Sequence, residues 1–380
     1  MKIFLKIIGV FFLFLLSTLA IVIVGAYGAL KLALEGPSEH FKNIFVSSMM
    51  ESSAGPIVIR WMMPEDQINA ILEGNKTMVF DQVTDVELVT VMREEAAAAA
   101  AEAAANSDAQ EIVDPDPDGD GIELHEISGP MYHGMMMIVY DPSRVIVGTI
   151  DNYTHSGAGM NLQQLIEKYG GVAGINGGQY EDESGLGIGG WPIGVVISQG
   201  ELRQNGGNWE DPNYVPALDA NGNPIPTPVL SSNFPTAGFN QDDILVVGNM
   251  SGSYAQGIGL RDAVSFGPAL IVNGEAADYS GVGGGLNPRS AIGQRADGAV
   301  LLLVIEGRRA TSMGATMADL IDIMVEYGAV NAMNLDGGMS SSMWYNGEEI
   351  VDNAQLRQER AIPTAFIVLP LEDAASAEEA

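Results

Sequence analysis

From Ile7 to Leu30 the chain carries no charged residue, with Lys2 and Lys6 before this run and Lys31 after it. That length suits a bilayer-spanning helix better than the shorter apolar core of a cleavable leader. The small residues Gly25-Ala26-Tyr27-Gly28-Ala29 leave cleavage open, but the run reads as an uncleaved signal anchor. The two N-terminal lysines favour a cytoplasmic stub (residues 1–6) before a span at residues 7–30, although Lys31 weakens the asymmetry. The remainder is expected outside the cytoplasm, at a cell membrane crossed once.

Beyond the apolar run, residues 31–93 form a membrane-proximal region whose pattern, from Ser38 to Thr90, mixes short helical and strand-forming stretches. Residues 94–120 have a different texture. Glu94–Asp108 is Ala-rich and helix-prone without an apolar face, and D-P-D-P-D-G-D-G is acidic and interrupted by Pro, so together they read as an exposed linker. Asp116–Gly121, D-P-D-G-D-G, matches the opening of a calcium loop. The twelfth position, where such a loop needs Glu, is Ile127, and a solvated acidic linker is the better reading.

From Gly121 the pattern becomes that of a folded domain reaching residue 370, followed by an acidic tail at 371–380. I-E-L-H-E-I alternates, M-M-M-I-V-Y is a buried-strand run, and D-P-S-R turns into V-I-V-G-T-I. Asn161 with Gln164 predicts a capped helix carrying Leu162, Leu165, Ile166 and Tyr169 on one face, with Gly170 as its stop. Thr316 with Asp319 repeats the arrangement for Leu320, Ile323, Met324 and Tyr327, stopped by Gly328. Each helix leads into a short apolar strand and a Gly-Gly loop, N-G-G-Q-Y and N-L-D-G-G, and the two units are expected to deliver their loops to one sheet edge. Asn273-Gly274 signals a hairpin, and Asp211–Pro235 reads as a long surface loop. The fold class expected is α+β: a twisted mixed β-sheet with helices packed on it, preceded by the N-terminal transmembrane helix.

Composition narrows the chemistry. With no Cys, thiolate catalysis and Cys-zinc sites are excluded. With 17 Lys and Arg against 49 Asp and Glu, the formal charge is -32, which argues against nucleic acid as a partner. Glu94 to Glu126 alone holds eleven acidic residues and no Lys or Arg. An anionic ligand would therefore need a local cluster of arginines.

Such a cluster is present. I-N-G-G-Q-Y-E-D, N-P-R-S-A-I-G, I-E-G-R-R, L-D-G-G-M-S-S-S and E-R-A-I-P each place a carboxylate, amide or guanidinium at a strand end beside small residues. Guanidinium forks match phosphate oxygens, and Gly-Gly turns with hydroxyls offer donors to the same oxygens. Asp182, Glu306 and Asp336 are candidates for general acid–base work or for holding a divalent cation, calcium or magnesium, though no ligand spacing indicates a metal. Only four His exist (His40, His125, His133 and His155), which leaves little room for His chemistry, and no G-x-S-x-G elbow surrounds Ser340–Ser342.

Taken in order, these stretches, with G-P-A-L-I-V-N-G-E and D-P-S-R-V, resemble the phosphodiester glycosidase family over roughly Gly121 to Pro370. The resemblance implies hydrolysis of a sugar-1-phosphodiester of N-acetylglucosamine type, and bacterial relatives with an N-terminal anchor are linked to exopolysaccharide or the cell wall. It implies Asp336, Glu306 and Arg308 as catalytic residues. It implies Asn176, Gly177, Gly178, Arg289, Gly307, Gly337, Gly338, Ser340, Ser341, Glu359 and Arg360 as substrate-binding residues, to which the chain's own pattern adds Asp182. Glu306 stands where many relatives have Asp, Ser342 where Thr is frequent, and Met339 where Gly is frequent. Two other readings stay open: a membrane-tethered glycan-binding protein without turnover, and an esterase using Ser341 or Ser342.

Overall fold

The computed structural model describes residues 2–52, 55–77, 80, 82–106, 116, 119–182, 188–206, 233–281, 283–309, 311–351 and 360–371. The apolar run forms one helix, α1 (Lys2–Glu35), of which Lys6–Glu35 is long and apolar enough to cross a membrane. Three shorter helices follow: α2 (Glu39–Met50), α3 (Gly55–Met62) and α4 (Glu65–Glu73). Ser38 starts α2 by accepting a hydrogen bond from the Phe41 N–H (3.2 Å). Leu34, Val46, Ile59, Met63 and Ile68 make a small core of their own. Met1–Asn75 is one compact unit and Lys76–Ala380 a second.

The second unit begins with a segment leading into α5 (Val86–Asn106). Thr84 Oγ1 accepts from the Val247 N–H (2.9 Å), and Asp85 caps α5 through the Glu87 and Leu88 N–H groups. Arg93 donates to the carbonyls of Asp242 and Asp243 (3.1 Å each).

The strands, in chain order, are β1 (Ile122–Ser128), β2 (His133–Val139), β3 (Val145–Thr149), β4 (Ala173–Asn176), β5 (Val195–Ser198), β6 (Glu201–Asn205), β7 (Phe234–Asn240), β8 (Leu245–Met250), β9 (Leu260–Ser265), β10 (Ala269–Val272), β11 (Glu275–Ala276), β12 (Arg289–Arg295), β13 (Val300–Ile305), β14 (Ala329–Leu335), β15 (Met343–Tyr345), β16 (Glu348–Val351) and β17 (Thr364–Val368). Among them lie α6 (Leu162–Tyr169), α7 (Gly252–Gly257) and α8 (Met317–Glu326). The strands form three antiparallel sheets: β1-β2-β13-β12-β14-β10-β11, β16-β15-β4-β17-β3 and β6-β5-β9-β7-β8. The α+β class expected from the sequence is the one observed, but in place of one mixed sheet the strands form three sheets in which every strand pair is antiparallel.

One central core explains that division. Met137, Val147, Ile175, Val196, Phe239, Val264, Leu302, Met333 and Phe366, drawn from all three sheets, pack together. In β13 the residues Val300, Leu302 and Val304 face this core, while Leu301, Leu303 and Ile305 face α8 through Leu320, Ile321, Ile323 and Met324. A strand covered on both faces reads as an unbroken apolar run, hence V-L-L-L-V-I. Burying each such side chain contributes about 1.5–3 kcal/mol.

The local signals are used as their chemistry predicts. Asn161 and Gln164 form a reciprocal capping box on α6, and Gly170 ends that helix in the left-handed region (φ 66°). Thr316 and Asp319 do the same for α8. Asn273 and Gly274 (φ 56° and 80°) turn β10 into β11. The expected loop at Asp211–Pro235 lies outside the described residues up to 232, and Pro235 already belongs to β7.

Candidate active site

The two Gly-Gly loops do meet, but they do not share a sheet. Asn176 ends β4 in one five-stranded sheet, while Asp336 follows β14 in the seven-stranded sheet. The expected single sheet edge is replaced by the facing ends of two sheets, because the central core requires each sheet to turn an apolar face inward. The Asp336 N–H donates to the Gly177 carbonyl (3.2 Å), and Asn176 Nδ2 donates to the Asp336 carbonyl (2.7 Å). Asn176 Oδ1 accepts from Ser290 Oγ (2.7 Å) and from the Ser342 N–H (3.3 Å). Asn176 is fully buried, so its amide organises the site and does not face a ligand.

The glycines serve the same junction. The Gly177 N–H bonds the Thr364 carbonyl (3.0 Å) and the Gly178 N–H bonds Thr364 Oγ1 (3.0 Å). A Cβ on Gly178 would stand 2.5 Å from the Ser265 carbonyl oxygen, and one on Gly307 would stand 2.6 Å from the Pro288 ring. The Gly338 N–H bonds the Pro288 carbonyl (2.8 Å) and the Gly337 N–H bonds Asp336 Oδ1 (3.0 Å). These glycines allow close backbone packing. The four N–H groups named here are engaged by the protein, not offered to a ligand.

Asp336 sits at the centre of this junction. Burial pushes its carboxyl up to about 6, against the lowering effects of a hydrogen bond from Ser340, the Arg360 charge and the Gly337 N–H; the nearby Asp182 charge adds to the rise. A carboxyl that changes protonation near neutral pH, next to charged partners, has the property required of a general acid or base.

Three arginines stand close to one another here, and of them Arg360 acts on the Asp336 carboxyl. Arg360 pairs with Asp182 and donates to Tyr180 Oη (3.1 Å), and its other amino group lies 3.7 Å from the Met339 sulfur. Tyr180 in turn bonds Ser340 Oγ (3.1 Å). Arg289 is buried and donates to the carbonyls of Gly285 (2.8 Å) and Ala315 (3.2 Å). Arg308 has a left-handed backbone (φ 60°), and its amino group lies 3.5 Å from the position of a Cβ on Gly338. Desolvation lowers its pKa first, then the positive charges of Arg360 and Arg289. Among the described residues its side chain has a single polar contact, 3.4 Å to Asn287 Oδ1, and no carboxylate partner.

Glu306 lies apart from this network. The Glu306 carboxylate pairs with Arg309 (3.6 Å), not with its near neighbour Arg308. Ser340, Ser341 and Ser342 are buried, Ser341 completely, so none of these three presents an exposed hydroxyl. Glu359 lies outside the described residues. In the acidic loop Asp116 and Asp120 cap backbone N–H groups of Gly121 and Ile122, and Asp120 also accepts from Tyr345 Oη. Among the described residues no group of three or more His, Asp or Glu is placed to hold a metal.

The sequence profile of the phosphodiester glycosidase family matches residues 169–369, more than half of the chain. The chain belongs to the phosphodiester glycosidase family. Every member of the junction just described, from Asn176 to Thr364, lies within the matched span. The catalytic domain of zebrafish N-acetylglucosamine-1-phosphodiester alpha-N-acetylglucosaminidase is 19% identical to this phosphodiester glycosidase family chain, with a TM-score of 0.48, covering 65% of this chain and 82% of that one. A putative exported protein of Burkholderia pseudomallei K96243 is 17% identical, with a TM-score of 0.42, covering 63% and 74%. The uncharacterized protein YomE of the SPbeta prophage in Bacillus subtilis (strain 168) is 34% identical over 87 residues, which are 23% of this chain and 14% of that protein.

Tyr180, Ser265, Pro288, Ser290 and Thr364 take part in this family member's junction and were not among the candidates read from the sequence. Tyr180 stands inside N-G-G-Q-Y, and its place there was the available signal. Pro288 and Thr364 act through backbone or hydroxyl contacts with residues far along the chain, which no local pattern announces.

Proposed function

We propose that this protein is a membrane-anchored glycosidase that hydrolyses a sugar-1-phosphodiester of N-acetylglucosamine type, in a cell-wall or exopolysaccharide substrate outside the cytoplasm. The observation that carries the reading is Arg308: a cation flanked by two more, with no carboxylate partner among the described residues, in a chain of charge -32. A guanidinium held there against like charges is best neutralised by a ligand phosphate. Family membership supports the same substrate class.

In this reading Arg308 and Arg360 hold the phosphate, while Arg289, tied to backbone carbonyls, adds positive potential. Water adds to the anomeric carbon and gives its proton to the Asp336 carboxylate. The bond from that carbon to the bridging oxygen breaks, and the electron pair leaves with a phosphomonoester. Phosphate needs less protonation on departure than an alcohol does, so one well-placed carboxylate suffices. Ser340 and the Gly337 N–H hold the carboxylate in place. α1 would carry the anchor.

The test is incubation of the purified protein with an N-acetylglucosamine-1-phosphodiester, wild type beside Asp336→Asn. Free sugar from the wild type alone is expected. Release by both variants would move the chemistry away from Asp336. Release by neither, with binding retained in both, would favour a glycan-binding protein.

A further inference from the structure

The first unit holds a surface that the catalytic reading does not use. α3 has two unlike faces: Gly55 and Ile59 are buried, Ile59 in the small core beside Val46 and Ile68, whereas Ile57 and Trp61 are exposed. Their spacing of four residues puts them on one stripe, and they are 76% and 73% exposed. Ile57 and Trp61 thus expose large apolar side chains side by side, and a contiguous apolar patch marks an interaction surface. Arg60 lies beside them, paired with Glu65 (3.3 Å).

What covers this stripe is indicated by its neighbour. The Trp61 ring meets the Tyr27 ring edge-on, with centroids 6.3 Å apart and planes at 64°. Tyr27 belongs to α1, the helix apolar enough to cross a membrane. Counted from Ile7 at about 1.5 Å per residue, the helix reaches roughly 30 Å at Ala26, the thickness of a hydrocarbon core. Tyr27 then falls at the far boundary, and the next charged residue is Lys31. Tyr and Trp concentrate at this depth, where an apolar ring meets lipid and its polar atom meets headgroups.

We propose that α3 lies on the outer membrane surface, with Ile57 and Trp61 seated in the lipid interface beside Tyr27. The partner of this face is the bilayer itself. This rests on the anchor reading of α1 and adds to it a second, lateral contact. An apolar stripe flanked by an Arg is how a short amphipathic helix rests in the headgroup region. The contact would fix the first unit against the membrane and keep α1 from rotating freely.

The experiment uses the full chain reconstituted in phosphatidylcholine vesicles. The difference in emission between wild type and Trp61→Phe isolates Trp61 from the other three tryptophans. Lipids brominated near the headgroup should quench that signal about twofold, and lipids brominated near the chain ends should quench it less. Because the chain has no Cys, Ile57→Cys carrying a polarity-sensitive dye offers a second site. Its emission should shift to the blue when vesicles are added. Protein that floats with the vesicles while Trp61 is quenched by aqueous iodide and not by brominated lipid would overturn the inference and leave the anchor intact. Protein that does not float would overturn both.

Discussion

Asn176 Nδ2 donates a 2.7 Å hydrogen bond to the backbone carbonyl of Asp336, tying the end of one sheet to the end of another. The same side chain accepts from Ser290 and from the Ser342 N–H. One buried amide thus satisfies three partners and holds the candidate catalytic carboxylate in register with the first Gly-Gly loop.

Replacing Asn176 with Ala should leave those partners without bonds in a buried place. The expected cost is on the order of 3 kcal/mol, with loss of most activity. Denaturant titration of the variant checks this. An unchanged midpoint would show that the bonds contribute little.

Arg308→Ala should lower kcat/KM for a glycosyl phosphodiester roughly 100-fold or more, the scale for losing one charge-stabilising donor. Since the residue has no carboxylate partner among the described residues, its removal should not reduce thermal stability. Activity lost together with a large fall in Tm would point to a structural role. Activity retained would remove Arg308 from phosphate binding.

The raised pKa of Asp336 makes two predictions. As a base it works deprotonated, so kcat/KM should fall as pH drops through about 6. The folded-state value lies above the ordinary 3.8, so the charged form is disfavoured by folding. Stability is therefore greatest below the unfolded pKa and is lost as pH rises through about 6. Asp336→Asn should accordingly be more stable than wild type at pH 8, by up to about 3 kcal/mol, with the gain vanishing near pH 4. Thermal melts at the two pH values separate this from a pH-independent packing change.

Ser340→Ala removes a hydrogen bond that lowers the Asp336 pKa. The acidic limb of the pH–rate profile should move upward from its wild-type position. A downward shift would mean that Ser340 acts on another group.

Gly178→Ala should destabilise by about 2 kcal/mol, because its Cβ would meet the Ser265 carbonyl oxygen at 2.5 Å and that oxygen belongs to a strand backbone. Calorimetry of the variant reads the effect directly. A melt matching wild type would show that β9 yields freely at this point.

How much of this was legible beforehand depends on the distance over which each feature acts. The capping boxes Asn161–Gln164 and Thr316–Asp319, the Gly170 stop and the Asn273-Gly274 turn are contacts within four residues, so the sequence by itself determined them. The same holds for the apolar run of α1 and for the set of polar residues at strand ends, which the family match spans. The partners those residues chose were decided only by tertiary structure. Gly177 and Gly178 are glycines because Thr364 and Ser265, distant in the chain, press against them. Glu306 pairs with Arg309 and not Arg308, whose left-handed backbone accompanies its place among the other arginines. The height of the Asp336 pKa follows from burial between two sheets, and burial is a property of the whole packed core. Sequence specifies which groups are present and how the chain turns locally. Which of them lose water, and beside which charges, is settled only when three sheets close on one another.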